Sequence, residues 1–168
     1  NNQLYKQLDA ALAQRAHYIE LKEKSLNDIK QGAKYVTSNE DKLKLYEQLA
    51  NDYKAYEYDS AMTYVNKGLL LAQKSNNILF NKRFRLSQTR LLITRGFYAE
   101  AKEILQKIAP KEDSHNYQFL YYHTLYELYN NWAAYCESNE FSKNYNQKKM
   151  EYLKKAIELS PKKDAFYY

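Results

Sequence analysis

The sequence predicts an all-α fold of helix hairpins that follow one long N-terminal helix. Two observations support this prediction. Apolar residues recur at intervals of three and four through most of the 168 residues, as in helices that bury one face. The chain has only 3 glycines and 2 prolines, too few for the many turns of a β-rich protein. A chain of this length is expected to form a single domain, residues 1–168.

The N-terminal helix is predicted at residues 1–36. A rough apolar stripe runs along it through Leu4, Leu8 and Leu26, and Gly32 is suited to end it. The remaining faces are polar over a length greater than that of one repeat helix. We therefore expect this helix to act as a cap or a lever against the rest of the domain.

Repeat one is predicted at residues 40–76, as two amphipathic helices joined by a tight turn. Ser38 or Asn39 is suited to cap the first helix, because a short polar side chain accepts hydrogen bonds from unpaired backbone amides. We expect Asp59 to cap the second helix in the same way. Gly68 has no side chain and lets the second helix approach a neighbour closely.

Repeat two is predicted at residues 78–110. Gly96 permits the turn between its helices, and Ala101 is small enough for the point where they cross. The first helix has two apolar sides, which predicts that it packs between neighbours on both flanks. One side holds Phe80, Phe84 and Leu91, and the other holds Leu86, Ile93 and Phe97.

Repeat three is predicted at residues 114–161. Its first helix, from Tyr117 to Cys136, is apolar or aromatic on nearly every side and is expected to be largely buried. A connector over residues 137–144, longer than a normal repeat turn, then leads to the last helix.

These helix pairs resemble the tetratricopeptide repeat (TPR), a unit of about 34 residues. The clearest matches are GFYAEA at residues 96–101 and KAIELSP at residues 155–161. The resemblance implies a TPR-like α-α superhelix, a right-handed solenoid of helix hairpins. In such a solenoid the first helices of successive repeats line a concave face.

Polar residues fall together on each of the three first helices, where the concave face is expected. The basic members of this set are suited to hold a carboxylate or an acidic peptide, so we predict that this face binds a protein or a peptide. The alternative is that the polar stripe is only solvated. The candidate binding residues are Lys44, Glu47, Gln48, Asn51, Lys54, Arg83, Ser87, Arg90, Thr94, His123, Glu127 and Asn130.

Other kinds of site find little support in the sequence. The three histidines are far apart along the chain, and Cys136 is the single cysteine, so neither a metal site nor a paired nucleophile is indicated. The chain has no glycine-rich phosphate loop and no catalytic serine motif. We therefore expect neither an enzyme nor a cofactor. The longest apolar run is far below the roughly 18 residues of a membrane span.

Three stretches resemble a narrower family. They are LDAALAQRAHYIELKEKSLNDIK at residues 8–30, YKAYEYDSA at residues 53–61 and NEFSKNY at residues 139–145. They are similar to the sensor portion of membrane-anchored bacterial transcriptional regulators from Gram-negative anaerobes. That resemblance implies a periplasmic TPR domain, followed by a membrane span with a coiled segment and by a cytoplasmic DNA-binding domain. The chain would then reach the membrane only through segments that it does not itself contain.

Two other functions stay open from the sequence. One is a stand-alone peptide-binding TPR adaptor. The other is a helical repeat that binds nucleic acid, because the chain has a net charge of +6 and lysine pairs collect near its C-terminus. We expect no nucleic-acid binding by this fragment, because most lysines alternate with glutamates on solvated helix faces. The residues do not specify an oligomeric state.

Overall fold

A computed structural model describes residues 2–111, 113–136 and 140–160. Within these residues the chain forms seven α-helices and one short 3₁₀ helix, and it has no β-strand. The all-α, TPR-like prediction is therefore confirmed. The helices are α1 (Asn2–Gly32), α2 (Asn39–Lys54), α3 (Tyr58–Lys74), α4 (Ile78–Thr94), α5 (Tyr98–Lys107), α6 (His115–Tyr135) and α7 (Glu140–Leu159), and the 3₁₀ helix Ala33–Tyr35 follows α1.

The helices after α1 form three consecutive pairs. Helix α2 packs on α3, α4 on α5, and α6 on α7. Further contacts join α3 to α4 and α5 to α6, while α4 touches both α2 and α6. The first helices of the pairs, α2, α4 and α6, therefore lie next to one another and form what we call the inner face.

Polar side chains at the helix starts satisfy backbone amides that have no partner within the helix. The Ser38 hydroxyl accepts from the Asp41 amide at the start of α2, as predicted. The prediction for α3 was wrong, because Glu57 and not Asp59 caps that helix. The Glu57 carboxylate accepts from the amides of Asp59 and Ser60, since its longer side chain reaches back to the first turn. The contact with Ser60 lowers the pKa of Glu57.

Helix α4 lies at the centre of the fold and has two buried sides. On one side Phe80 and Phe84 join a cluster with residues of α2 and α3. On the other side Leu86 and Ile93 join a larger cluster formed with α5 and α6. The predicted packing on both flanks is therefore present. Phe97 is the exception, because it precedes α5 and stays 48% exposed.

Two small residues allow this close packing. Gly68 of α3 faces the fully buried ring of Phe84, and a Cβ atom at Gly68 would lie only 2.1 Å from the Phe84 Cζ. Ala101 of α5 is fully buried in the cluster between α4 and α6, as expected for a crossing point.

The turn between α4 and α5 contains Gly96, as predicted. Gly96 has a φ of +81°, a left-handed conformation that glycine adopts without strain.

The last helix pair corrects two expectations. Helix α7 begins at Glu140, so residues 140–144 are helical and not part of a long connector, while residues 137–139 lie outside the described part of the chain. Helix α6 is also less enclosed than its composition predicted. It buries one face, and its end at Tyr135 is 76% exposed.

The single tryptophan, Trp132, stacks between Tyr98 of α5 and Tyr145 of α7.

Helix α1 contacts the other helices through its second half only. Leu26 is its one fully buried residue, whereas Leu4 and Leu8 are 70% and 54% exposed. The Glu23 carboxylate accepts hydrogen bonds from the hydroxyls of Tyr53 and Tyr56 of α2, at 3.0 and 3.1 Å. The α-helix ends at Gly32, the residue suited to end it, which is short of the predicted bound at residue 36, and the 3₁₀ helix Ala33–Tyr35 follows it.

Among the described residues, no helix combines the length and the apolar character that crossing a membrane would require.

Candidate functional site

Two ion pairs tie the inner face together. Arg83 of α4 pairs with Glu47 of α2, with Nε 2.8 Å from Oε1 and a second hydrogen bond from Nη2 to Oε2. Arg90, two turns along α4, pairs with Glu127 of α6 through Nε–Oε2 and Nη2–Oε1 distances of 2.9 and 3.1 Å. Planar guanidinium and carboxylate groups match in such two-bond contacts. Each arginine therefore bridges one repeat to the next.

These bridges change the expected electrostatics of the inner face. The sequence predicts arginines that are free to hold a carboxylate of a ligand, but each arginine already holds a carboxylate of its own chain. The pair formed by Arg90 and Glu127 is partly shielded from water, with side-chain exposures of 30% and 29%. An acidic ligand would compete with a glutamate for each arginine, so the inner face offers paired charges of both signs.

A cavity of about 210 Å³ lies between the three helices and next to both bridges. It brings together predicted site residues from α2 and α4 with residues that the sequence analysis did not include. Its lining consists of Glu47, Asn51, Arg83, Leu86, Ser87, Arg90, Leu120 and Thr124. Leu86, Leu120 and Thr124 were missed. Leu120 and Thr124 are spaced i, i+4 and lie one turn before the predicted polar residues of α6. This helical spacing could have identified both of them as lining residues.

A small cleft adjoins this cavity and contains Lys54. It shares Asn51, Ser87 and Arg90 with the cavity. Burial lowers the pKa of Lys54, and the neighbouring Arg90 lowers that pKa further. No carboxylate of the described residues forms an ion pair with Lys54 within 4.0 Å, so its charge is not neutralised by direct contact.

His123 of α6 completes the charged group. Its Nδ1 lies 3.8 Å from a carboxylate oxygen of Glu127, and its ring lies 5.9 Å from that of Phe119. Burial lowers the pKa of His123, and the positive charges of Arg90 and Lys54 act in the same direction, against the opposing effect of Glu127. Burial and the two cations therefore favour the neutral form of the imidazole.

The remaining predicted residues lie outside the cavity. Lys44 pairs with Glu40 on the exposed surface of α2 at 2.8 Å. Gln48, Thr94 and Asn130 are exposed. The structure thus gathers the middle of the predicted stripe into one site and leaves its ends on the surface.

A metal site is not indicated by the described residues, since no three of their histidine, cysteine, aspartate or glutamate side chains lie together.

The sequence matches a known protein family. The model described as the SusR N-terminal TPR domain matches residues 12–168, which is most of the chain. No curated protein and no solved structure matches the sequence.

Proposed function

The chain belongs to the family of SusR N-terminal TPR domains, and on this premise we propose that it is the periplasmic sensor domain of a membrane-anchored transcriptional regulator. A TPR-type domain is a protein-interaction module, and the inner helices of such repeats commonly form the binding surface. The proposed role is non-catalytic. The inner face binds a segment of another protein or another domain of the same regulator, and binding is passed on to the rest of the protein.

The observation that supports this proposal is the cavity that touches all three repeats. Its lining comes from α2, α4 and α6, and the two bridges that border it join the same three helices. A segment that binds there contacts every repeat at once. It can therefore change how the repeats sit against one another, which is what a sensor requires.

The chemistry of the face favours a polypeptide. Glu47 and Glu127 present acceptors, Arg83 and Arg90 present donors, and Asn51 adds an amide that can do both. A peptide backbone also alternates donors and acceptors. A nucleic acid is the weaker alternative, because both arginines of the face are already paired with carboxylates and are not free to neutralise phosphates.

A site-specific photocrosslinking experiment tests the proposal. A photoreactive amino acid replaces Ser87 in the cavity, and in a control protein it replaces Gln106, which is exposed on α5. Each protein is irradiated with periplasmic and with cytoplasmic extract of the native host. We expect a defined polypeptide adduct at position 87, absent at position 106, from the periplasmic extract. Adducts that come only from the cytoplasmic extract would support the stand-alone adaptor instead. Equal labelling at both positions would contradict binding at the inner face.

A further inference from the structure

A second cleft lies on a different surface, between the start of α2 and the end of α3. It has a volume of about 300 Å³. We call it the lysine cleft, and it is lined by Lys42, Tyr46, Lys67, Leu70, Leu71 and Lys74. Along two turns of α3, helical spacing places Leu70 and Leu71 between Lys67 and Lys74. Lysines therefore flank an apolar floor.

Within the part of the chain that the structure describes, no carboxylate neutralises the positive charge of the lysine cleft. None of its three lysines forms an ion pair with a carboxylate of the described residues. The two acidic residues that directly precede Lys42 are engaged elsewhere, because Glu40 pairs with Lys44 and Asp41 accepts from the Ser38 hydroxyl. Lys67 Nζ lies 5.0 Å from the centroid of the Tyr64 ring, which leaves its charge uncompensated. Cations without a carboxylate partner attract an anionic partner.

The floor of the lysine cleft is an uncovered part of the surface on which α1 packs. A row of tyrosine rings begins at Tyr53, which holds Glu23 of α1, and continues through Tyr64 to Tyr46 in the cleft. The centroid distances along the row are 5.9 and 6.2 Å. Helix α1 covers the first part of this row, and Leu70 in the uncovered part is 55% exposed. The end of a helical repeat stack is normally capped.

We propose that the lysine cleft docks an acidic amphipathic helix of another protein, with a leucine on the floor and glutamates or aspartates on the three lysines. Charge complementarity selects this occupant. The free half of α1 from a second copy presents leucines as well, but it carries Lys6 and Arg15 against Asp9 alone, so the lysines repel it. The surface is a recess between two helices, which receives a side chain better than it meets a flat lipid surface.

A binding assay with a model helix tests this inference. The probe is a fluorescein-labelled peptide of about 18 residues, with leucines recurring every three or four residues and glutamates beside them. The variant is Lys67→Gln with Lys74→Gln. The matched control is Lys24→Gln with Lys143→Gln, which removes the same charge from exposed positions on α1 and α7. Fluorescence anisotropy gives the dissociation constant, and circular dichroism confirms that each variant is folded.

We expect the peptide to bind the parent protein and the control equally. It should bind the cleft variant about tenfold more weakly, because that variant loses two exposed charge pairs. Added salt weakens binding to the parent. Three results overturn the proposal: no binding to the parent, equal loss in the control, or equal binding of a scrambled peptide of the same composition. Lysine-dependent binding of phosphatidylglycerol vesicles without peptide binding overturns it as well, and assigns the surface to a membrane. None of these outcomes bears on the crosslinks at Ser87.

Discussion

Helices α1 and α4 show two different ways in which a helix is held in this domain. Helix α1 has 31 residues and one of them, Leu26, is fully buried. Helix α4 has 17 residues and buries six, because both of its flanks meet other helices. Each also makes polar contacts with α2, through Glu23 in α1 and through Arg83 in α4. Polar contacts are therefore common to both helices, and apolar burial is what separates them.

The difference shows that helix length says little about contribution to stability. Burying a large apolar side chain contributes about 1.5–3 kcal/mol, whereas a partly exposed hydrogen bond or ion pair contributes about 1 kcal/mol or less. By that measure α4 is central to the free energy of unfolding. Helix α1 is attached by one apolar anchor and a few polar contacts, and its first half extends away from the other helices.

The largest expected effect lies in α4. Replacing Phe84 by Ala removes a fully buried ring that packs against Gly68, so the free energy of unfolding should fall by about 3–5 kcal/mol. Urea denaturation followed by circular dichroism measures this change. A loss below about 1 kcal/mol would show that α4 is not the centre of the packing.

A matched pair of changes within α1 sharpens the comparison. Leu26→Ala should lower the free energy of unfolding by about 2–4 kcal/mol, because it opens a cavity beneath the helix. Leu8→Ala is the same substitution on the same apolar stripe, but Leu8 is exposed and the expected change is within about 0.5 kcal/mol. If Leu8→Ala proved as costly as Leu26→Ala, the free half of α1 would have to be covered in solution. Repeating the measurement at several protein concentrations would show whether a second copy covers it.

A smaller effect is expected for the polar contacts of α4. In a double-mutant cycle, Arg90→Gln and Glu127→Gln should show a coupling energy of about 0.5–1 kcal/mol, since the pair is two-bonded but partly exposed. The same cycle with Glu23→Gln and Tyr56→Phe gives the corresponding value for α1. A coupling near zero at Arg90 would mean that the bridge does not stabilise the joint between repeats two and three.

The smallest effect concerns pH. Burial lowers the pKa of His123 below its ordinary value near 6.5, so as the pH falls below that value the unfolded chain takes up a proton before the folded chain does. The contribution of His123 to stability is therefore complete above about pH 6.5 and declines as the pH falls toward its folded pKa. Urea midpoints between about pH 7.5 and about pH 5 should decline less steeply in His123→Gln. His17→Gln, at an exposed position on α1, is the control and should keep the parent slope.

The sequence predicted the architecture well, because local rules decide it. Helical periodicity located the hairpins, and the small side chains of Gly68 and Ala101 marked points of close packing that the structure contains. Two apolar sides on α4 predicted its central place. The Glu57 cap was missed because residue preferences at helix starts favour shorter side chains such as Asp59.

The site was harder to predict, because it depends on how neighbouring helices are aligned. Periodicity placed Arg83 and Arg90 on one strip of α4, and the structure puts them there. It could not show that Glu47 and Glu127 lie opposite them, since the relative height of two helices in a stack is set by packing across their whole length. The same limit hid the lysine cleft, whose lining comes from two helices that run past each other.

The stacking of Trp132 has an optical consequence for this domain. The chain has 19 tyrosines and this one tryptophan, whose ring centroid lies 4.7 Å from that of Tyr145 and 5.7 Å from that of Tyr98. Energy transfer from Tyr98 and Tyr145 to Trp132 weakens as these rings move apart, so emission excited through these two tyrosines falls when α5 and α7 separate from α6. Tryptophan emission therefore reports on the last repeats, and far-ultraviolet circular dichroism reports on every helix. If the two transitions coincide in a denaturant titration, the repeats unfold as one unit, and if they separate, the stack opens repeat by repeat.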